Sequence, residues 1–192
     1  MTRVFVGGSR DVTRLDPEVN RRLAQIIEKR VPVLVGDANG ADKAVQRYLS
    51  ERHFDLVEVF AANESPRNNL GGWPVRVVRP AHARRDFDYY ATKDRAMAAE
   101  ATVGLMLWNG QSRGTLMNVL RLTTANKPVV IYLSRKRTFV EVREGRDLAN
   151  LLTGLDGRAL ERLRLDVAAE GLPQDLVNQP ALGFPETRAT AR

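Results

Sequence analysis

Apolar residues along this chain fall in short runs separated by polar stretches, in a regular alternation. Arg3–Gly8 is a brief apolar run that stops at Gly7-Gly8, as a buried strand would. Asp16-Pro17 offers an N-cap followed by proline in the first helical turn. Val19, Leu23, Ile26 and Ile27 follow at helical spacing, so residues 17–30 are predicted as a helix. Val31–Val35, closed by Gly36, predicts a second strand, and Gly40–Arg52 a second helix with Ala41, Ala44, Val45, Tyr48 and Leu49 facing inward. Leu56–Phe60 and Pro74–Val78 predict a third and a fourth strand. Beyond a polar stretch come an Ala-rich helix at Tyr89–Ala101, a strand at Val103–Trp108, a helix at Gly114–Ala125 and a strand at Pro128–Leu133.

Apolar strands alternating with helices imply a parallel sheet covered on both faces. The expected fold is α/β: a three-layer, doubly wound, mostly parallel sheet of the Rossmann-like kind over residues 1–134, with a helical C-terminal extension. In the extension, residues 135–170, Phe139–Arg143 predicts an edge strand. One or two amphipathic helices follow over 145–170, broken near Gly154–Gly157. Their leucines (Leu148, Leu151, Leu152, Leu155, Leu160, Leu163 and Leu165) suit the surface of a homodimer or another partner, and equally a lid on the chain's own domain. Residues 171–192 carry Pro173, Pro180, Gly183 and Pro185 without periodicity, and are expected to be an irregular or flexible arm.

Composition narrows the chemistry. The chain has 192 residues, 43% apolar and 28% charged, the profile of one soluble globular domain with an extension. With no cysteine, disulfides, thiolate nucleophiles, zinc ribbons and iron–sulfur ligation drop out. With His53 and His82 the only histidines, a His-built metal site would need carboxylates to complete it, and neither a metal nor a cofactor is evident. No apolar run approaches the roughly 20 residues of a membrane helix, and the N-terminal stretch reads as a strand rather than a secretory leader. A cytoplasmic protein with no membrane partner is the expectation. The net charge is +7, of which +6 lies in residues 1–134, a balance that favours anionic partners. Yet 25 of the 30 cationic side chains are arginine and no Lys/Arg block occurs, so nucleic acid is not the favoured partner.

Ligands of such sheets bind outside the carboxyl ends of the strands, where loops lead into helix N-termini. Three loops there share a composition: Gly7-Gly8-Ser9-Arg10, Gly36-Asp37-Ala38-Asn39-Gly40-Ala41-Asp42, and Asn109-Gly110-Gln111-Ser112-Arg113-Gly114-Thr115. Each joins glycines, which let a ligand approach the backbone, to small hydroxyl or amide side chains. Two run straight into a helix, whose free N–H groups suit a phosphate or ribose oxygen. Neither a Walker loop nor the dinucleotide Gly-x-Gly-x-x-Gly is present, so simple ATPase and standard NAD-dehydrogenase readings drop out.

These loops, together with Lys93-Asp94-Arg95-Ala96-Met97 ahead of the Val103–Trp108 strand, resemble the SLOG superfamily. That group takes in the lonely-guy (LOG) phosphoribohydrolases, the DNA-processing protein A fold and small stand-alone bacterial and phage nucleotide-binding proteins, the last being most similar. The match runs over residues 3–133. It implies a nucleotide or nucleotide-derived ligand, such as a nucleoside phosphate, ADP-ribose or a cyclic nucleotide, lying across Gly7–Arg10, Gly36–Asp42 and Gly110–Thr115, with Lys93 and Asp94 beside it. In that picture Gly114 and Thr115 contact phosphate, Arg10 and Arg113 supply charge, and Asp42 accepts from ribose hydroxyls or caps its own helix.

The alternative is an enzyme that cleaves or transfers an N-glycosidic bond, LOG-like or deoxyribosyltransferase-like. LOG-type enzymes carry Gly-Gly-x-Gly-Thr-x-x-Glu, and the glutamate's place is taken here by Asn118, which cannot act as a base. Asp37, flanked by glycines at a strand end, and Asp94 are the substitute catalytic candidates. Glu64, His82, and Arg84-Arg85 beside Asp86 and Asp88 read as solvated surface charge, Trp73 and Trp108 as base-stacking rings or, for Trp108, core, and Tyr89 and Tyr90 as one packed ring and one facing the ligand edge.

Overall fold

In the computed structural model, which describes residues 1–84 and 86–178, the alternation resolves into seven strands and seven helices among the described residues. The strands are β1 (Val4–Gly8), β2 (Val33–Gly36), β3 (Val57–Ala61), β4 (Val75–Val77), β5 (Val103–Trp108), β6 (Val129–Leu133) and β7 (Thr138–Val142). The helices are α1 (Pro17–Glu28), α2 (Ala41–Ser50), α3 (Phe87–Glu100), α4 (Arg113–Thr124), α5 (Gly145–Leu152), α6 (Gly157–Ala169) and α7 (Asp175–Asn178). The sheet order is β4-β3-β2-β1-β5-β6-β7. All neighbours are parallel except β7, which runs antiparallel to β6. The doubly wound, Rossmann-like α/β fold is the one the sequence predicts.

Alternation along β1 shows why both faces must be covered. Val4 and Val6 join the core under α1 and α2, with Leu23, Val45 and Leu49. Phe5 points the other way, into the core under α3 and α4 with Met97, Met106 and Met117. All of these are at most 4% exposed, so β1 is buried on both sides as a central parallel strand should be.

The leucine stripe of the extension is turned onto its own domain. Leu148, Leu152 and Leu163 are buried with Val167 in the same core as Phe5, and Leu151, Leu155 and Leu160 pack against it. Leu165, 67% exposed, is the stripe member left outside. The arm expected over residues 171–192 is corrected at its start. Leu172 and Leu176 pack on this core and Val177 is buried in it, which holds Asp175–Asn178 as a turn of helix. The rest of that arm, residues 179–192, lies outside the described residues, as does Arg85. Asp16 stands at the N-cap position of α1 but makes no side-chain cap. Its carboxylate accepts from the Tyr132 hydroxyl (2.8 Å) and pairs with Arg137 (3.0 Å), tying the start of α1 to β6.

Candidate functional site

The chain winds outward from β1 in one direction through β2, β3 and β4, then returns to add β5 on the other side. At the carboxyl ends of β1 and β5 the two following connections therefore part company, and a crevice opens between them. Gly7 and Gly8 of β1 lie beside Met106 and Leu107 of β5 at this point. The crevice is a cleft of about 560 Å³. Of the expected ligand-binding residues, Gly7, Gly8, Arg10, Asp42, Lys93, Asp94, Ser112, Arg113, Gly114 and Thr115 line it.

Its floor is a knot of buried charge. The Lys93 ammonium of α3, only 4% exposed, donates to Asp94 at 2.9 Å and lies 4.0 Å from both Asp37 and Asp42. Burial works against the ammonium, but Asp94, Asp42 and Asp37 more than offset it and raise the Lys93 pKa. Burial pushes the Asp42 carboxyl up to about 6, against the pull of Lys93. Burial also acts to raise Asp37, yet bonds from Arg67 and the nearby Lys93 hold it below the ordinary carboxylate range. The Arg67 guanidinium grips Asp37 at both oxygens (2.8 and 3.1 Å), and the Arg67 backbone N–H adds a third bond at 3.1 Å. The Asp42 carboxylate accepts from the Ala38 N–H (3.1 Å), bracing the turn ahead of α2 rather than capping the helix. Gly36 is required behind it. A Cβ there would lie 2.3 Å from Asp42 Oδ2 and 2.6 Å from Lys93 Nζ.

A second set of bonds ties the loop after β1 to the loop after β5. Ser9, wholly buried, donates to Asn109 Oδ1 (3.1 Å) and accepts from the Asn109 N–H (3.1 Å). Asn109 Oδ1 also accepts the Gln111 and Ser112 N–H groups at 2.9 and 2.8 Å, and its amide donates to Asp11 (3.0 Å). Thr115 donates to Ser112 Oγ at 2.9 Å, and Ser112 caps α4. Ser9 and Thr115 therefore fix the loops to each other with their hydroxyls. Gly114 is open, with nothing within 4 Å of where a Cβ would stand.

One wall is aromatic. Tyr90 of α3 has the Arg10 guanidinium 5.3 Å and the Arg67 guanidinium 5.2 Å from its ring centre. Arg113 lies 3.8 Å from the ring centre of Phe87, and its guanidinium is gripped by Asp166 of α6. Asp94 accepts a bond from the Asn118 amide (3.3 Å), Arg121 donates to Asn118, and Glu170, the C-cap of α6, holds Arg121 (2.9 Å) and Arg95 (3.2 Å). The extension thus reaches the cleft through two carboxylates, one in α6 and one at its C-cap.

Several expected site residues do not line the cleft. Gly36, Asp37, Gly40 and Ala41 lie behind its floor, and Ser9 beneath it. Gly40 has φ +81° and a Cβ there would meet the Arg10 carbonyl at 2.1 Å, so its glycine serves a tight backbone crossing. Asp37, the first catalytic candidate, is 4% exposed and fully engaged by Arg67. Gly110 opens onto a neighbouring cleft instead. Trp73 and Trp108 are buried, with ring N–H groups donating to the Phe54 and Ser112 carbonyls. Glu64 pairs with Arg79 and His82 with Asp88 on the surface. Sequence reasoning placed Asn109 at the head of the third Gly/Ser loop and one of Tyr89 and Tyr90 at the ligand edge, and missed Arg67 and Phe87, which carry no local signal.

No protein-family model matches this chain, and no curated protein matches it in sequence. Among solved structures it is similar to DNA processing protein A from Helicobacter pylori, studied for its mode of single-stranded DNA binding. The superposition has a TM-score of 0.56 and covers 88% of this chain and 81% of that one, at 12% identity. The two share a fold. No helix among the described residues is long and apolar enough to cross a membrane, and none of their His, Asp and Glu side chains cluster as a metal site would.

Proposed function

We propose that this chain is a SLOG-type protein that binds a nucleotide or nucleotide-derived ligand, such as a nucleoside phosphate, ADP-ribose or a cyclic nucleotide, in the cleft between β1 and β5. The observation that carries this reading is the meeting, at one switch point, of bare backbone at Gly7-Gly8 and Gly114 with paired carboxylates at Asp42 and Asp94. Gly114, in the first turn of α4, and Arg10 suit a phosphate oxygen. Asp94 and Asp42 suit ribose hydroxyls, which donate to carboxylates. Tyr90 offers a ring for the base.

A panel of nucleoside phosphates, cyclic nucleotides and ADP-ribose, scored by thermal shift, tests it. A ligand at 100 times its Kd adds about 2.7 kcal/mol of stability. The expected result is a shift of a few degrees with one nucleotide class that Gly114→Asp abolishes. No shift with any nucleotide, together with a shift from short DNA, overturns the reading in favour of the ligand that the Helicobacter protein binds.

A second reading, N-glycosidic bond cleavage, draws on one observation. Asp42, with its carboxyl raised to about 6, and Asp94 both line the cleft, with the Lys93 ammonium 4.0 Å from the first and 2.9 Å from the second. Asp94 is the carboxylate this reading needs, since Asp37 is engaged by Arg67. Base release that Asp94→Asn abolishes while nucleotide binding persists would support it. Binding without release in the unaltered protein would sink it.

A further inference from the structure

A second cleft of about 390 Å³ opens beside the first, between the carboxyl ends of β5 and β6 and the helices of the extension. The two clefts share Gln111 and Arg113, so a single ridge separates them. The second cleft has an apolar wall from Trp108, Leu116, Leu155 and Leu163, and two arginines, Arg135 and Arg162. Both arginines are exposed, and neither takes part in an ion pair among the described residues. Its acid, Asp156, is already used to cap α6 through the Ala159 N–H (2.8 Å). Arg113 on the ridge is held by Asp166 and Phe87, which fixes its position without lending the second cleft free charge.

The ridge carries the side chains of Gln111, Ser112 and Arg113 between two glycines. Gly110 on one side and Gly114 on the other both face space, with nothing within 4 Å of a Cβ at either position. Gly110 has φ +82°, a conformation other residues adopt only with strain. A ligand crossing from one cleft to the other has open backbone at Gly110 and Gly114, and passes Gln111 and Arg113, which line both clefts. Each cleft has the size of a small-molecule subsite. The apolar wall with unpaired guanidiniums matches a planar base attached to an anionic group.

We propose that the two clefts receive the two halves of one dinucleotide. The first nucleotide lies at the β1–β5 switch point and the linker passes over Gly110–Gly114. The second base lies against the Trp108 and Leu155 wall, with its phosphate facing Arg135 and Arg162. This rests on the nucleotide reading of the first cleft and names its ligand as a two-unit molecule. It also gives the extension a role, since α6 supplies one whole side of the second cleft.

The test compares, by calorimetry, the four 5′-phosphorylated homodinucleotides with the four matching nucleoside monophosphates. At least one dinucleotide is expected to bind about 30-fold more tightly than its monophosphate, a difference of about 2 kcal/mol. Arg135→Ala combined with Arg162→Ala removes that preference, with the monophosphate serving as the reference for an intact first cleft. Ala159→Trp, which fills the second cleft without altering its charge, does the same by a different route. Equal affinities for both ligands in the unaltered protein overturn the dinucleotide proposal and leave the nucleotide reading standing. The proposal also falls if the variants weaken both ligands alike, or if a twelve-nucleotide strand binds far more tightly than any dinucleotide. If neither ligand binds at all, both readings fall together.

Discussion

Lys93 and Arg10 line the same cleft and carry the same charge, yet they live in opposite surroundings. Lys93 is 4% exposed, with Asp94 at 2.9 Å and Asp37 and Asp42 each at 4.0 Å. Arg10 is exposed, lies 5.3 Å from the centre of the Tyr90 ring, and makes no ion pair among the described residues. The difference separates charge that holds the cleft open from charge that a ligand can use. A buried ammonium already matched by carboxylates gains little from an incoming phosphate, whereas an unmatched guanidinium at the rim gains a partner.

The sharpest way to break this contrast is at the floor. Lys93→Met leaves Asp42 and Asp94 facing each other without a cation, and should cost about 3–5 kcal/mol of stability in urea unfolding. Arg10→Met should leave the unfolding curve almost unmoved. Equal effects from the two substitutions would dissolve the distinction. Gly36→Ala comes next, with an expected loss of about 1–3 kcal/mol, because its Cβ would press on Asp42 and Lys93.

The pH dependence probes the same knot more gently. Asp42 is raised from its ordinary value to about 6 by burial, so the folded state takes up a proton more readily than the unfolded one. Its contribution is therefore most favourable below about pH 4 and declines as pH climbs toward 6, by up to about 3 kcal/mol. Lys93, Asp37 and Asp94 face it throughout and set the depth of that decline. Asp37 acts in the opposite sense at lower pH, since its lowered carboxyl gains stability above the unfolded value and loses it as acid protonates it. In Asp42→Asn the decline between pH 4 and 6 should disappear from a series of denaturation midpoints. Its persistence would mean that another group is responsible.

At the far end of the scale, Asp166→Asn loosens the half-exposed Arg113 and is expected to cost about 1 kcal/mol. Glu64→Gln, where both members of the pair are more than three-quarters exposed, should change stability by less than about 0.5 kcal/mol.

The strand ends were legible because their signal is local. An apolar run that stops at Gly7-Gly8, or at Asn109-Gly110, announces its own loop, and the fold order then brings those loops together. Arg67 had no such mark. It lies between β3 and β4 in a stretch without periodicity, and its role depends on Asp37, thirty positions earlier, being buried beside it. Asp16 misled for a related reason. The Asp-Pro step looked like a capping signal, but the hydroxyl of Tyr132, 116 positions away, claimed the carboxylate. Glycine composition also blurred two purposes. Gly114 lines the cleft with open space where a Cβ would stand, whereas Gly8 and Gly40 allow close approach to the Leu107 and Arg10 carbonyls and Gly36 makes room for the Asp42 and Lys93 side chains. Residues 171–178 read as irregular because their helix is four residues long and is held by packing of Leu172, Leu176 and Val177.

The carboxylates in α6 and at its C-cap bear on what a shortened chain would do. Asp166 and Glu170 engage Arg113, Arg121 and Arg95, all three of which belong to the first 134 residues. Cutting the chain at residue 134 would strip Arg113 and Arg121 of their acids, leave Arg95 with Asp88 alone, and bare this charge on a piece already carrying +6. Such a fragment would cling to polyanions of almost any kind, in a salt-sensitive way. Nucleic-acid retention measured on it would report the scissors rather than the protein.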